Sequence, residues 1–342
     1  MNHTPSRIPA EWEPHDAVWL AWPSHRELWD DLLSPAQREF VALCQAIADP
    51  AIDGTLRGER LNILARTADD AAAAQEALGT LAVTVHRAAY GDIWLRDTAP
   101  IFAQGRGLLA HRFRFNGWGG KYVLDGDQDV APFVAAAATA ARLDHRFVTE
   151  GGALEFDGEG TLLTTRACLL NPNRNALGES DVEDVLRATL GLERVLWLDD
   201  GLLNDHTDGH VDTLARFVAP GEVVCMVPSG DDDPNRDVLR TIERDLREMT
   251  DAAGRRLRVH TVPSPGRIED ADGTVLPASY VNFYIANTTV VVPTYGAASD
   301  GAALARLVEL FPGRRVVGAS AYALLHGGGA FHCITQQQPR RS

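Results

Sequence analysis

Short apolar runs alternate with longer amphipathic stretches along the chain. The runs have the length and the β-branched or aromatic content of buried strands. The stretches carry apolar residues at helical spacing, and they predict helices that begin near residues 34, 67, 131, 180, 234 and 300. Three of these helices are predicted to cover residues 131–142, 234–249 and 300–311. Strands are predicted at 17–22, 61–65, 82–86, 108–115, 147–156, 161–170, 195–198, 206–218, 222–227, 257–262, 280–285, 289–293 and 315–317.

Similar strand–helix units therefore follow one another without a linker between them. This favours one α/β domain, residues 1–342, built by radial repetition, although the units are not similar enough in sequence to establish a repeat. No Gly-x-Gly-x-x-Gly follows a strand and no phosphate-loop signature occurs, so the sequence gives no support for a nucleotide cofactor.

Composition narrows the functional classes. The formal net charge of −15 argues against a nucleic-acid partner and favours a small cationic substrate. No apolar run reaches the roughly 18 residues of a membrane span, and the first seven residues lack the apolar core of a signal peptide. The four cysteines are too scattered for a zinc or disulfide pattern, so we expect a cytoplasmic protein. The sequence leaves a homo-oligomer open.

A glycine run, 327–329, precedes Cys333 near the C-terminal end. Glycines allow a backbone to turn sharply or to approach a ligand closely. The residues around Cys333 have the composition of a short strand, on which a thiol could be presented as a nucleophile. The alternative is a buried structural cysteine, because free cysteine is one of the most buried residue types.

Residues 206–212 form the densest polar cluster in the chain. On a strand, His210 and Asp212 would share a face. One interpretation is a metal site with the ligands His206, Asp208, His210 and Asp212. The other is a general base at His210 beside a carboxylate that holds a cation.

Asp97 and Glu150 add two carboxylates at predicted strand ends. Together with this polar cluster and Cys333, the chain resembles agmatine deiminases, of the bacterial-type peptidylarginine deiminase family of guanidine-modifying enzymes. The resemblance runs from about residue 12 to 339 and is carried by the segments 92–100 (DIWLRDTAP), 115–122 (FNGWGGKY), 150–153 (EGGA), 169–175 (LLNPNRN), 209–212 (GHVD) and 327–339 (GGGAFHCITQQQP). Ala99 and Asp208 depart from the family pattern, which suggests glycine and asparagine there.

The resemblance implies the pentein fold, a five-bladed α/β propeller of ββαβ modules with pseudo-fivefold symmetry. It implies that Cys333 is the nucleophile, that His210 is the general acid and base, and that Glu150 orients His210. Asp97 and Asp212 would clasp the guanidinium. Two carboxylates can each accept paired, charge-assisted hydrogen bonds from a planar NH₂ edge.

The expected reaction converts agmatine to N-carbamoylputrescine and ammonia through a covalent S-alkylthiouronium, without a cofactor or metal. Further substrate contacts are expected from Trp94, Trp118, Gly328 and Gly329. Arg114, if it faces the pocket, would favour arginine or a C-terminal peptidyl-arginine instead. A metal-dependent ureohydrolase and a non-catalytic binding module are the alternatives.

Overall fold

A computed structural model describes residues 6–341 of the chain. Residues 1–5, on which the expectation about a signal peptide partly rests, lie outside the described part. The strands within 6–341 are β1 His15–Ala21, β2 Arg60–Ala65, β3 Val83–Arg87, β4 Ile101–Gly105, β5 Gly107–Arg114, β6 Ala141–Val148, β7 Glu155–Phe156, β8 Thr161–Thr165, β9 Arg194–Leu198, β10 Ala215–Ala219, β11 Glu222–Val227, β12 Arg258–Pro263, β13 Tyr284–Ile285, β14 Thr289–Thr294, β15 Arg315–Ser320 and β16 Gln336–Pro339.

Helices lie between most of these strands. They are α1 Arg26–Trp29, α2 Leu33–Ala48, α3 Ala68–Leu78, α4 Leu95–Thr98, α5 Gly117–Gly120, α6 Asp127–Ala137, α7 Arg166–Leu169, α8 Glu179–Leu190, α9 Arg236–Glu248, α10 Asp300–Leu310 and α11 Tyr322–His326. None of the helices between residues 6 and 341 combines the length and the apolar character that crossing a membrane requires.

The strands form five small sheets in the described chain. In each sheet an antiparallel pair is followed by a helix and a strand parallel to the second member of the pair. The modules are β16–β1–α2–β2, β4–β5–α6–β6, β7–β8–α8–β9, β10–β11–α9–β12 and β13–β14–α10–β15. This arrangement confirms the predicted five-bladed propeller of ββαβ modules.

The first module joins the two ends of the chain. Strand β16 pairs with β1 in the register Trp19↔Gln336, and β3 adds a fourth strand to this sheet. The indole Nε1 of Trp19 also donates a hydrogen bond of 3.0 Å to Gln338. This pairing holds the two ends of the described chain together in one blade.

Helix positions follow from the amphipathic pattern. Leu239, Ile242 and Leu246 on α9 are buried, at the spacing of one helix face. Thr67 caps α3, accepting a hydrogen bond from the backbone of Asp70, whose side chain accepts one in return. Such reciprocal capping satisfies donors that the first helical turn leaves unpaired.

Several predicted strands are interrupted. The segment 147–156 contains a 3₁₀ turn, Gly151–Ala153, between β6 and β7. The segment 206–218 is a strand only from Ala215, after a second 3₁₀ turn, Val211–Thr213. Cys333 lies on a turn between α11 and β16, so its predicted strand is wrong.

Candidate active site

The polar residues near the centre of the molecule lie on equivalent segments of the five modules. Each segment precedes the first strand of a module by a few residues. Asp97 precedes β4, Glu150 precedes β7, the pair His210 and Asp212 precedes β10, Asn282 precedes β13, and Cys333 precedes β16. Five equivalent connections therefore supply one site, which explains why residues far apart in the sequence meet.

A cleft opens over these segments, and its empty volume, counted to the open mouth, is 890 Å³. Asp97 and Cys333 lie among its lining residues, together with aromatic side chains, two histidines and two glycines of the C-terminal run. The lining residues are Leu28, Trp29, Asp92, Trp94, Asp97, Trp118, Tyr122, Leu124, His206, Thr207, His326, Gly327, Gly328 and Cys333. A mostly apolar cleft with a few convergent polar groups is the usual form of a small-molecule site.

Asp97 is buried and held by two donors. Its Oδ1 accepts a hydrogen bond of 2.9 Å from the backbone of Gly152, and its Oδ2 accepts one of 2.9 Å from the indole Nε1 of Trp118. Burial raises the pKa of Asp97 to about 6, with the nearby His210 opposing the shift and Asp212 adding to it. This carboxylate is therefore fixed in place at the cleft and sensitive to the charges around it.

Asp212 is the second carboxylate of the site. Its Oδ2 accepts a hydrogen bond of 2.7 Å from Nδ1 of His332, and no described residue donates to its Oδ1. Burial alone would raise the pKa of Asp212, but the hydrogen bond and charge of His332 outweigh it, and the pKa is lowered. Asp212 thus keeps a charged oxygen without a protein partner, which a cationic ligand can occupy.

Gly152 lies where the three groups of the site meet. A Cβ atom at this position would lie 2.6 Å from His210 Nδ1, 2.9 Å from Asp97 Oδ1 and 3.2 Å from Asp212 Oδ2. The predicted convergence of the imidazole with the two carboxylates is therefore present, around a residue without a side chain.

His210 is buried between two carboxylates. Its Nδ1 is 3.7 Å from Asp97 Oδ1, and its Nε2 is 3.7 Å from Glu150 Oε2. Burial disfavours the imidazolium, but Asp97, Cys168 and Glu150 outweigh this effect and raise the pKa of His210 well above its ordinary value. An imidazolium in this position can donate a proton to a leaving group.

Glu150 is supported by Arg174 from the opposite side. Arg174 Nε donates a hydrogen bond of 2.8 Å to Glu150 Oε1, and both side chains are fully buried. Burial alone would raise the pKa of Glu150, whereas His210 and Arg174 lower it. Glu150 is therefore a buried anion fixed by Arg174, with its Oε2 3.7 Å from Nε2 of His210.

Asp208 connects this pair to the loop that carries Trp118. It accepts hydrogen bonds of 2.7 Å from Arg174 and 2.5 Å from Lys121 Nζ. Lys121 Nζ also donates a hydrogen bond of 2.8 Å to the backbone carbonyl of His206. The departure from asparagine at position 208 thus introduces an anion between two cations.

Cys333 has 6% of its surface exposed and faces polar neighbours. Its Sγ is 3.2 Å from Nδ2 of Asn282 and 3.6 Å from Oδ2 of Asp212. Burial, and then the charges of Asp212 and Asp97, raise the pKa of the Cys333 thiol well above its ordinary value. A cation bound between these carboxylates would offset their charge and favour the thiolate.

Aromatic residues form the walls of the cleft. Asp92 accepts hydrogen bonds from the indoles of Trp94, at 2.8 Å, and Trp29, at 3.1 Å. A Cβ atom on Gly329 would lie 2.7 Å from the ring of Trp94 and 3.0 Å from Cys333 Sγ. Gly329 therefore admits close packing around the thiol. Gly328 lines the cleft, where a Cβ atom would meet only Nδ1 of His206, at 3.7 Å.

Trp118 adopts a left-handed backbone conformation, with φ 51°. The flanking Gly117 and Gly119 also have positive φ, so the loop turns in a way that few side chains permit. This turn directs the indole of Trp118 at Asp97. At the cleft mouth, Tyr122 stacks on His206 with ring centroids 5.7 Å apart.

The structure does not bring Arg114 to the cleft. Arg114 is exposed and lines a separate depression, and Arg112 contacts Asp144 at 3.4 Å. Strand β5 ends before the Trp118 loop turns toward the site, so its arginines remain on the outer surface.

The structure also places the four residues of the predicted metal site apart from one another. His206 is at the cleft mouth and Asp208 is paired with two cations. Within residues 6–341, the group of three metal-ligating side chains whose ligand atoms lie within 4.8 Å of one another is Glu150, Cys168 and His210. Arg174 on Glu150 makes this group unfavourable for a cation.

Sequence reasoning missed three residues of the site. Asn282 contacts the sulfur of Cys333, His332 contacts Asp212, and Cys168 lies beside His210 and Glu150 instead of in a purely apolar core. The equivalent position before the first strand of each module is the signal that could have found Asn282.

Known proteins resemble this chain in sequence and in architecture. The chain is 39% identical to an agmatine deiminase of Stutzerimonas stutzeri, with 97% of this chain and 95% of that protein covered. It superposes on the solved agmatine deiminase of Enterococcus faecalis with a TM-score of 0.89 and 33% identity, over 99% of this chain and 97% of the other.

A cysteine-to-serine variant of C. jejuni agmatine deiminase, solved with substrate bound, has a TM-score of 0.89 and 25% identity, over 100% of this chain and 98% of the other. The family described as Porphyromonas-type peptidyl-arginine deiminase matches residues 7–339. The chain belongs to this family of pentein-fold, guanidine-modifying hydrolases.

Proposed function

We propose that this protein is an agmatine deiminase, which hydrolyses agmatine to N-carbamoylputrescine and ammonia. The observation that carries the proposal is the pair of carboxylates, Asp97 and Asp212, beside the sulfur of Cys333. A planar guanidinium between them would present its carbon to sulfur, and its charge would be matched on two edges. The relatives named agmatine deiminase support the same substrate.

The covalent step begins with Cys333. Its proton passes to solvent water as the cation binds, and the thiolate sulfur adds to the guanidinium carbon. His210 donates a proton to the departing nitrogen, the C–N bond breaks, and ammonia is released. An S-alkylthiouronium on Cys333 remains.

Hydrolysis of this intermediate uses the same imidazole as a base. His210, now neutral, takes a proton from water, whose oxygen adds to the carbon as the C–S bond breaks. The sulfur leaves as thiolate, the second proton of the water is lost to solvent as the urea carbonyl forms, and the ureido product departs. The ammonia released earlier takes up a proton in solution to become ammonium. The sum is one guanidinium and one water giving one urea derivative and one ammonium, with no cofactor or metal in the balance.

Agmatine fits the described cleft better than arginine does. Among the lining residues in the described chain there is no lysine or arginine to neutralise an α-carboxylate. Trp94, Trp118 and Leu124 instead offer apolar contact to an aliphatic stem. We infer selectivity for a guanidine whose far end carries no anion.

Ammonia release from agmatine, arginine and a peptide ending in arginine tests this proposal directly. We expect kcat/KM to be highest for agmatine and turnover to be lost in Cys333→Ala. Iodoacetamide should inactivate the wild type, and a chelator should not affect it. Urea as the product would favour a metal-dependent ureohydrolase, and no product from any of the three would favour a binding module.

A nucleophilic thiol must be reduced to act, and we propose a cytoplasmic setting on that ground. The four cysteines, at 44, 168, 225 and 333, are unpaired within the described residues. Self-association stays a prediction, which sedimentation velocity of the purified chain would test.

A further inference from the structure

His332 lies between two carboxylates at the centre of the molecule. Its Nδ1 is 2.7 Å from Asp212 Oδ2, and its Nε2 is 2.9 Å from Glu11 Oε2. The residue has 1% of its surface exposed. Both ring nitrogens are therefore engaged at hydrogen-bond distance in a site closed to bulk water.

Ionised carboxylates only accept hydrogen bonds, so a ring nitrogen facing one must carry the proton. Glu11 also contacts Arg216 at 3.0 Å and Arg96 at 3.3 Å. Burial alone would raise the pKa of Glu11, but Arg216, His332 and Arg96 lower it well below its ordinary value. The 2.7 Å contact with the ionised Asp212 therefore makes Nδ1 of His332 a donor to that carboxylate.

Charged groups surround His332 and its partners. The anions are Glu11, Asp212, Glu155 and Asp97, and the cations are Arg96, Arg216 and His210. Arg216 Nε donates a hydrogen bond of 2.8 Å to Glu155, and Arg96 Nε donates one of 3.3 Å to the backbone carbonyl of His332. These cations compensate the buried carboxylates, which lowers the cost of burying them.

We propose that His332 is a positioning residue, which holds Asp212 through its Oδ2 and leaves its Oδ1 free for the guanidinium. The kinetic test of this proposal rests on the proposed function. His332 does not touch the substrate, because both nitrogens are occupied. It acts through Asp212, by fixing the orientation and the charge of that carboxylate.

Two substitutions separate the roles of the two nitrogens. His332→Asn places an amide donor near Nδ1, toward Asp212, whereas His332→Gln places one near Nε2, toward Glu11. We expect His332→Gln to raise KM for agmatine at least about tenfold, since a charge-assisted hydrogen bond is lost. His332→Asn should raise KM less.

The pH profile of kcat/KM distinguishes this role from a merely structural one. The hydrogen bond from His332 lowers the pKa of Asp212, so in both variants that pKa should rise and the acid limb should move to higher pH, further in His332→Gln. His260→Asn, which alters a histidine 2.6 Å from Glu222 outside the site, should leave the limb unchanged. A wild-type limb in both His332 variants, with kcat/KM lowered equally at every pH, would overturn the proposal.

Neutron diffraction from crystals of the wild type shows without any variant whether His332 donates to Asp212. Deuterium on Nδ1 of His332 at neutral pH is the expected result, and its absence from Nδ1 would refute the proposal. This result does not depend on turnover, so it remains decisive even if the wild type releases no ammonia from agmatine.

Discussion

The indole of Trp118 donates a hydrogen bond of 2.9 Å to Oδ2 of Asp97, from a residue with left-handed backbone. This bond ties the glycine-rich loop at the cleft wall to a carboxylate of the site. Because Asp97 is buried, the donor contributes to both the orientation and the charge of the carboxylate.

Trp118→Phe should keep the ring that packs against Phe115, with centroids 4.8 Å apart, and remove only the donor. A hydrogen bond to a charged group contributes about 1.5 kcal/mol or more, so kcat/KM for agmatine should fall roughly tenfold, mainly through KM. Steady-state ammonia release measures this effect.

Trp197→Phe is the matched control. It removes an indole donor 2.9 Å from Glu183, in the blade of β8 and β9, away from the cleft. Its KM should equal that of the wild type. An unchanged KM in Trp118→Phe as well would show that the bond to Asp97 does not serve binding.

Gly152→Ala should abolish most activity while leaving the chain folded. The added methyl would meet His210 Nδ1 at 2.6 Å and Asp97 Oδ1 at 2.9 Å, so at least one of them must move. Displacement of a catalytic group by about 1 Å typically costs roughly a hundredfold in rate, and we expect at least that loss in kcat/KM.

Gly301→Ala provides the comparison for this substitution. Gly301 is on α10, with no described atom within 4 Å of an added Cβ. Activity should be unchanged, and the free energy of unfolding should rise by up to about 1 kcal/mol, because alanine favours the helix. Near-normal turnover in Gly152→Ala would contradict the crowding at residue 152.

The helices of the blades were accessible from the sequence because their apolar faces recur at helical spacing. Helix α10 was predicted at 300–311 and occupies Asp300–Leu310, and α9 was predicted at 234–249 and occupies Arg236–Glu248. Helix α6 ends at Ala137 rather than 142, because its alanine-rich continuation joins β6.

The segments at the centre were predicted wrongly for a physical reason. Gly151–Ala153 and Val211–Thr213 are irregular backbone, but they are buried between blades and carry apolar residues. Burial on all sides gives them the composition of a strand without the geometry. Motifs nevertheless identified Cys333, His210, Glu150, Asp97 and Asp212, which the structure brings together.

His332 and Asn282 were beyond local reasoning because their partners are remote in the sequence. His332 contacts Glu11 across 321 positions, and Asn282 contacts Cys333 across 51. On the strand predicted around Cys333, His332 would face away from the thiol, but the structure has a turn there and that reasoning does not apply. Alignment of the five modules on their first strands would have placed both near the site.

Arg174→Met should destabilise the protein, since it leaves Glu150 as a buried and uncompensated anion. Both side chains of this ion pair are fully buried, and loss of one partner of such a pair costs about 3–5 kcal/mol. Chemical denaturation at neutral pH measures the loss in the free energy of unfolding.

The double variant Arg174→Met, Glu150→Gln should recover much of that stability, because no unpaired charge remains, and it should stay inactive. Non-additivity of this kind identifies a direct coupling between the two residues. Equal stability of Arg174→Met and the double variant would mean that Arg174 contributes through packing rather than through its charge.

The ionisation of Asp97 should lower the stability of the folded protein as the pH rises. Burial raises the pKa of Asp97 from 3.8 to about 6, so the folded state binds its proton more tightly than the unfolded state does. Its cost to folding is absent below pH 3.8, grows as the pH rises, and is complete above about 6. The difference corresponds to about 3 kcal/mol.

Asp97→Asn removes this titration. The free energy of unfolding of the variant minus that of the wild type should therefore increase by about 3 kcal/mol between pH 4 and neutral pH. Urea denaturation of both chains at a series of pH values measures this difference. The amide that replaces the carboxylate of Asp97 has only one oxygen and cannot accept from both Gly152 and Trp118. The variant is therefore less stable at every pH than the loss of the charge alone would make it, but the increase of the stability difference with pH is unaffected.

The same ionisation sets the acid limb of the wild-type enzyme. A guanidinium binds to the carboxylate and not to the neutral acid, so kcat/KM for agmatine should fall about tenfold per pH unit below about 6. A constant stability difference, together with kcat/KM that does not fall below that pH, would show that Asp97 has an ordinary pKa and that the cation is held elsewhere.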